Sequence, residues 1–249
     1  MSLILTDRSR SICYQECPRR RWWEYEYAGR GVVPARHSMP LLLGSQVHEG
    51  VGEVLRGADL TTATCLATEG YLGFCIERGL TTDSLPADLE FTLKEQTALI
   101  EALVRLFALR VAPEFLKQFE VLEVEQEDLW RIPNTNLGWM SRPDALLRER
   151  ATGDLYVFSL KTAKRGGHRR STEASHDVQG MSEVAALEAR LGKPILGVKM
   201  LYLIKGERKE EPEDSGRYIQ QSVLVRGYRR ADITGFEYTH AYWYTCSEP

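Results

Sequence analysis

The chain has 249 residues, 43% of them hydrophobic and 27% charged, with a formal net charge of −3. This is the ordinary globular range, and the length suits one domain, or one domain with a helical extension, able to bury a substantial core. The charge balance excludes a histone-like coat of positive charge but leaves room for a basic patch beside an acidic metal site, and no run of about 18 apolar residues offers a membrane-spanning helix. Cysteine is present five times, at Cys13, Cys17, Cys65, Cys75 and Cys246. That odd number, behind an N-terminus that turns polar too early for a secretion signal, leads us to expect a reduced, cytoplasmic setting.

Residues 8–27 read as a short amphipathic helix around Ile12, Tyr14, Cys17, Trp22 and Trp23, interrupted or restarted at Pro18. Residues 29–40 are rich in Gly, Pro and Arg and read as a loop. Leu41 to Leu55 reads as a helix with Leu43, Val47, Val51 and Leu55 on one face. Residues 61–79 and 88–112 give two further helical patterns, the first on Leu66, Leu72 and Ile76, the second on Leu93, Ile100, Leu103, Leu106 and Val111. Phe119 to Ile132 then reads as extended, and Gly138 to Arg148 as a second strand after a turn at Pro133, Asn134 and Asn136. Leu155 to Lys161 fits a central strand, entered from a turn at Gly153. A basic loop over 162–172 leads into a helix from Glu173 to Leu191, closed by Gly192 and Pro194. Ile195 to Ile204 is a strong strand, 206–216 a charged loop, and Tyr218 to Arg226 a further strand. Trp22 and Trp23 are expected in the core, and Trp130, Trp139 and Trp243 as packing residues. Helices followed by β-β-β-α-β predict an α/β (α+β) fold: a mixed central sheet flanked by helices, one domain over 1–249, mainly helical over 1–117 and sheet-built over 118–249.

Four segments carry the chemistry: Gly44-Ser-Gln-Val-His48 on a helix, Arg142-Pro143-Asp144 closing a strand, Ser159-Leu160-Lys161-Thr162 closing the next, and Gln179-Gly-Met-Ser-Glu183 on the following helix. Asp144 supplies a carboxylate and Lys161 an ammonium on the neighbouring strand. Because strand side chains alternate, positions 159 and 161 point into the same space. A divalent cation held by carboxylate, carbonyl and water, with imidazole tolerated by manganese, can activate water and neutralise a phosphate.

In this order and spacing the segments resemble the RecB-like branch of the PD-(D/E)XK nucleases, which includes lambda-type and CRISPR-associated exonucleases. Gly44 and His48 match the branch's G-x-x-x-H helix, Asp144 its G-x-x-D strand in the form S-R-P-D, Lys161 its (D/E)-x-K strand, and Gln179 its Q-x-x-x-Y helix. Cys17-Pro18-Arg19-Arg20 resembles the start of many members, so the likeness runs from about residue 8 to 205. It implies a restriction-endonuclease-like core in a bacterial or phage-infected cell. It further implies a Mg²⁺- or Mn²⁺-dependent DNA nuclease, most simply an exonuclease of recombination, repair or phage DNA metabolism. The partners implied are single- or double-stranded DNA and recombination or replication proteins. In that reading His48, Asp144, Glu183 and the Leu160 carbonyl hold metal, and Lys161, Asp144, Glu183 and Gln179 are catalytic. Some members carry an iron–sulfur cluster on four cysteines. Only Cys246 offers a C-terminal counterpart to Cys17 here, so no such cluster is expected.

Two positions depart from the pattern. The acid of (D/E)-x-K is Ser159, and the tyrosine of Q-x-x-x-Y is Glu183. Glu183 follows Gln179 by one helical turn, so it is the first candidate to replace the missing carboxylate, with Glu173, Glu123 and Glu125 behind it. The other reading is a catalytically degenerate nuclease fold that binds nucleic acid or scaffolds a complex; a nuclease acting on RNA is a third. Lys164, Arg165, Arg169 and Arg170 leave the proposed catalytic strand as a basic run suited to phosphate contact. Arg20 sits in a basic-aromatic segment suited to unpaired bases.

Overall fold

An apolar stripe at helical spacing makes the first long helix bury one face. The protein is described by a computed structural model over residues 3–32, 39–77, 87–163, 178–205, 208–210, 218–220 and 240–247. After a short strand β1 (Ile4–Thr6) come α1 (Arg8–Glu16) and α2 (Pro18–Arg21), split at Cys17 where Pro18 starts a new first turn. Asp7 caps α1 by accepting the Arg10 N–H at 2.8 Å. A π-helical turn (Trp22–Glu26) follows. Trp22 and Trp23 are 45% and 44% exposed, which corrects the expectation that they enter the core. Their rings pack edge-on against each other at 4.7 Å and against Tyr27. They lie on a surface turn that no sheet covers among the described residues.

Helices α3 (Met39–Arg56), α4 (Leu60–Glu77) and α5 (Ala87–Leu106) form one layer. The stripe Leu43, Val47, Val51, Val54 and Leu55 of α3 is buried. At Gly50 the helices touch: a Cβ there would lie 2.6 Å from Val104 Cγ2 and 3.0 Å from Ala67 Cβ. The helix expected to end near residue 112 continues through a π-turn (Phe107–Val111) into α6 (Ala112–Gln118), whose early Pro113 is tolerated where no N–H is needed. Phe107 and Phe115 carry this layer onto the sheet through Phe158, at ring distances of 6.5 and 5.3 Å.

The two strands expected between 119 and 148 are four. β2 (Phe119–Val124) and β3 (Asp128–Arg131) part at Glu125, whose φ of 51° turns the chain out of the extended path. β4 (Leu137–Ser141) and β5 (Ala145–Glu149) part at Arg142-Pro143-Asp144, where Pro143 cannot donate to a ladder. The predicted turn at 133–136 does join β3 to β4 as an antiparallel pair. Their sheet, ordered β1-β4-β3, is separate from the main one. The main sheet runs β10-β7-β6-β5-β2, with β6 (Leu155–Ala163) and β7 (Gly197–Ile204) parallel and the other pairs antiparallel. α7 (Val178–Leu191) lies between β6 and β7 in the chain, the crossover that a parallel pair requires. β8 (Arg208–Glu210) pairs with β9 (Tyr218–Gln220), and β10 (His240–Ser247) closes the main sheet's edge. The fold is thus mixed α/β, as expected, and no described helix is long and apolar enough to cross a membrane. The side chains of Trp243 and Cys246, the helix start at 173–177 and the strand beyond Gln220 lie outside the described residues.

Strand alternation divides β6 between two cores. Tyr156, Phe158 and Leu160 join the α3–α6 core, while Val157 and Ala163 join a second core with Val184 and Leu187 of α7. Ser159 and Lys161 have the parity of the α7 face. The two sheets are clasped through Arg190 of α7, which donates to Glu123 on β2 and approaches Asp128 Oδ1 on β3 at 2.5 Å. The pull of Arg190 on Asp128 is chiefly that of its charge, with a smaller hydrogen-bond share. Burial pushes the Asp128 carboxyl up, and Arg190 pulls against it without restoring the ordinary value.

Three substitutions test this packing. Gly50→Val overpacks the α3 contact and costs about 1–3 kcal/mol in urea unfolding. Gly73→Ala, on α4 with nothing within 4 Å of an added Cβ, gains about 0.4–1 kcal/mol. Arg190→Ala leaves Asp128 buried without its counter-charge. Since Arg190 is 35% exposed, the loss is about 1–3 kcal/mol, below the range for fully buried pairs. Adding Asp128→Asn recovers part of that loss, read as a non-additive double-mutant cycle.

Candidate active site

The site forms where β5 stops before its partner does. The register of β5 on β6 runs out at Ala145 opposite Phe158, yet β6 continues to Ala163 paired with β7. One edge of β6 from residue 159 onward therefore faces a gap. The Asp144 carboxylate fills it: the Leu160 N–H donates to Asp144 Oδ2 at 2.6 Å. Asp144 Oδ1 lies 2.8 Å from His48 Nδ1. The Asp144 backbone is pinned in turn, its carbonyl accepting the Glu125 N–H at 3.1 Å. His48 lies one turn after Gly44, where α3 runs alongside β6. A Cβ at 44 would already be 3.4 Å from Thr162 Oγ1.

Burial alone pushes the Asp144 carboxyl up. The charge and hydrogen bond of His48, the Leu160 N–H and the Lys161 ammonium outweigh it and hold the carboxyl below its ordinary range. Asp144 is thus kept as a carboxylate, the form that binds a cation or accepts hydrogen bonds.

On the α7 face of β6 a second chain of contacts starts at the next residue. Lys161 Nζ donates to Gln179 Oε1 at 2.7 Å, and Gln179 Nε2 donates to Glu183 Oε1 at 2.9 Å. Arg8 Nη1 donates to the same Gln179 oxygen at 3.2 Å. Gly180 keeps α7 close to the sheet, where a Cβ would lie 3.0 Å from Val198 Cγ2. Glu183 is 2% exposed and Ser159 fully buried. The Ser159 hydroxyl has no hydrogen-bond partner among the described residues.

The sequence candidates thus fall into two adjoining groups, His48, Asp144 and Leu160 on one side and Lys161, Gln179 and Glu183 on the other, meeting at the Leu160–Lys161 peptide. Among the described residues, no three His, Cys, Asp or Glu side chains gather at metal-binding spacing. Glu183 accepts from Gln179, which in turn accepts from Lys161. Glu123 is engaged by Arg190, and Glu125 meets Asp144 through its backbone. Arg20 lies on the exposed α2 surface, paired with Glu16 at 2.9 Å and Glu24 at 2.6 Å. Lys164, Arg165, Arg169, Arg170 and Glu173 lie outside the described residues. Arg8 was not foreseen. It stands 171 positions from Gln179, and no local spacing joins them.

A magnesium-type cation keeps several waters and needs only one or two carboxylates. Asp144 offers a carboxylate oxygen, and His48 would add an imidazole nitrogen only in its neutral form, giving up the 2.8 Å hydrogen bond between them. In a strand the N–H and C=O of one residue point to the same side, so the Leu160 carbonyl faces the gap that its N–H faces. Carboxylate, carbonyl and water suit Mg²⁺ or Mn²⁺, and the imidazole shifts the preference away from Mg²⁺. These residues therefore fit such an ion. No protein-family model matches the chain, and no characterised protein matches it in sequence.

Proposed function

We propose that this protein is a Mg²⁺- or Mn²⁺-dependent nuclease that hydrolyses phosphodiester bonds in DNA, most simply an exonuclease of recombination, repair or phage DNA metabolism. The observation that carries this reading is the convergence of His48, Asp144 and Lys161, from three separate elements, on the two sides of the Leu160–Lys161 peptide. The order of the four sequence segments supports it. His48, Asp144 and the Leu160 carbonyl would hold the cation. When bound, the cation lowers the pKa of a water and offsets phosphate charge.

The chain's own groups supply the rest. In the hydrolysis, a water oxygen bonds to phosphorus, the bond to the leaving oxygen breaks, and that oxygen ends protonated. Lys161 places a positive charge where negative charge grows on the phosphate oxygens. Gln179 fixes the ammonium. A glutamine amide has one accepting end and one donating end. Because Nε2 is committed to Glu183, Oε1 faces Lys161. In this geometry Glu183 is a positioning residue that sets the Gln179 amide.

A second reading, a nuclease fold that binds nucleic acid or scaffolds a complex without cutting it, is favoured by Ser159, which buries a hydroxyl where the family pattern has an acid.

Purified protein in Mn²⁺ is expected to cut labelled single- or double-stranded DNA, with Lys161→Ala lowering kcat by about 10²–10³-fold. If wild type cuts neither substrate and Lys161→Ala is indistinguishable from it, the second reading replaces the first. The role of Glu183 separates cleanly. Glu183→Gln keeps an acceptor for Gln179 and should lower kcat less than about tenfold, while Glu183→Leu removes it and costs about 10–100-fold. A Glu183→Gln loss as deep as that of Lys161→Ala would make the carboxylate itself a metal ligand.

A further inference from the structure

Beside Gln179 a cleft of about 180 Å³ opens between β4, α7 and the start of α1. Its walls include Trp139 and Ser141 of β4, Arg142, Arg8, and Gln179 and Glu183 of α7. Trp139 is paired across the ladder with Trp130, and Ser141 with Asp128. Directly opposed residues share a face, and Asp128 meets Arg190 of α7. Trp139 and Ser141 therefore stand on the face of the small sheet that looks toward α7. The Ser141 hydroxyl is shielded from solvent and has no hydrogen-bond partner among the described residues.

The cleft is smaller than the roughly 300–1,000 Å³ that encloses a drug-sized ligand, so it suits one planar ring rather than a whole nucleotide. Its charges sort the candidates. Glu183 and Asp7 on the wall disfavour a phosphate inside. Arg8 and Arg142 are exposed, and Arg142 makes no ion pair with any described residue. At the edge of the cleft Arg8 donates to Gln179. A neutral aromatic ring inside with anionic groups outside is the pattern of a nucleobase with its flanking phosphates.

Resting on the nuclease reading above, we propose that this cleft receives an unpaired base next to the scissile phosphate. Trp139 stacks on the base, Arg142 holds a flanking phosphate, and Arg8 adds positive charge at the mouth of the cleft. The substrate is then a single strand or a frayed end, because a base inside a duplex cannot leave its stack without an unstacking cost. Gln179, shared by Arg8 and Lys161, ties base occupancy to the position of the lysine.

The test is binding, measured in EDTA so that no cleavage intervenes. The anisotropy of a fluorescein-labelled oligothymidylate is compared with that of a blunt duplex and of an oligomer of abasic sites. Trp139→Ala should weaken oligothymidylate binding by about 5- to 100-fold, Trp139→Phe should retain most of it, and the abasic oligomer should bind both variants as it binds wild type. Arg142→Ala, at an exposed position, should weaken oligothymidylate and the abasic oligomer alike. Equal binding by wild type and Trp139→Ala overturns the proposal, as does an equal loss on all three ligands, which marks a folding defect or a packing role. Efficient displacement of the oligomer by free thymidine monophosphate also overturns it in favour of a mononucleotide site. The two readings fail separately. Cleavage in Mn²⁺ without dependence of binding on Trp139 removes the base site and leaves the nuclease. Trp139-dependent binding without any cleavage leaves the base site and removes the nuclease.

Discussion

A strand that outruns its neighbour is the constraint on which the site depends. β6 is central and buried, so the edge exposed beyond Phe158 presents backbone groups with no strand to pair them. Leaving such a donor unmet in the interior costs about 1–3 kcal/mol. The Asp144 carboxylate meets the Leu160 donor at 2.6 Å. The same short bond brings a charge into a part-buried position and makes the His48 contact worth having. Pro143 belongs to this arrangement as much as Asp144, since a residue that cannot donate stops the strand where the carboxylate must turn in.

From there the arrangement spreads by fixed orientations rather than by added charge. Leu160 presents its amide to Asp144. The next residue, of opposite parity, presents Lys161 to α7. Gln179 receives that lysine through an amide whose direction is set by Glu183, one turn on. The parts that hold these elements in place are small residues at close approaches: Gly44 under α3, Gly50 between the helices, Gly180 under α7. Arg190 closes the frame from the far end of α7 by joining the two sheets. A shift of α7 would therefore disturb Lys161 and the clasp together.

Much of this was legible in the residues. The stripe from Leu43 to Leu55 dictated α3 almost to its ends, because amphipathic periodicity is a local signal over many residues. The apolar run before Lys161 gave the central strand for the same reason. The sheet division was not legible. Phe119–Ile132 and Gly138–Arg148 each read as continuous, and what cuts them is a single left-handed residue, Glu125, and a single proline. Neither break shows whether the next strand joins the same sheet. Trp22 and Trp23 misled for a related reason: indole hydrophobicity says that a ring seeks cover, and here the cover among the described residues is another ring. Arg8 and the Asp128–Arg190 clasp depend on contacts between distant segments, and periodicity carries no information about those.

Ser159 gathers these lines into one question of charge. An acid there would be buried on the α7 face, two residues before Lys161. It would add a negative charge to a site that already holds Asp144 and Glu183, at a cost unless a cation joined it. With serine in place, Asp144 is already balanced by His48, Leu160 and Lys161, and Glu183 is drawn to Gln179 instead. The serine therefore lowers the negative charge of the site. On the nuclease reading proposed above, it would by the same argument weaken the pull on a divalent cation, leaving water and a substrate phosphate to supply more of its coordination. Metal binding and substrate binding would then be coupled more tightly than at a three-carboxylate site.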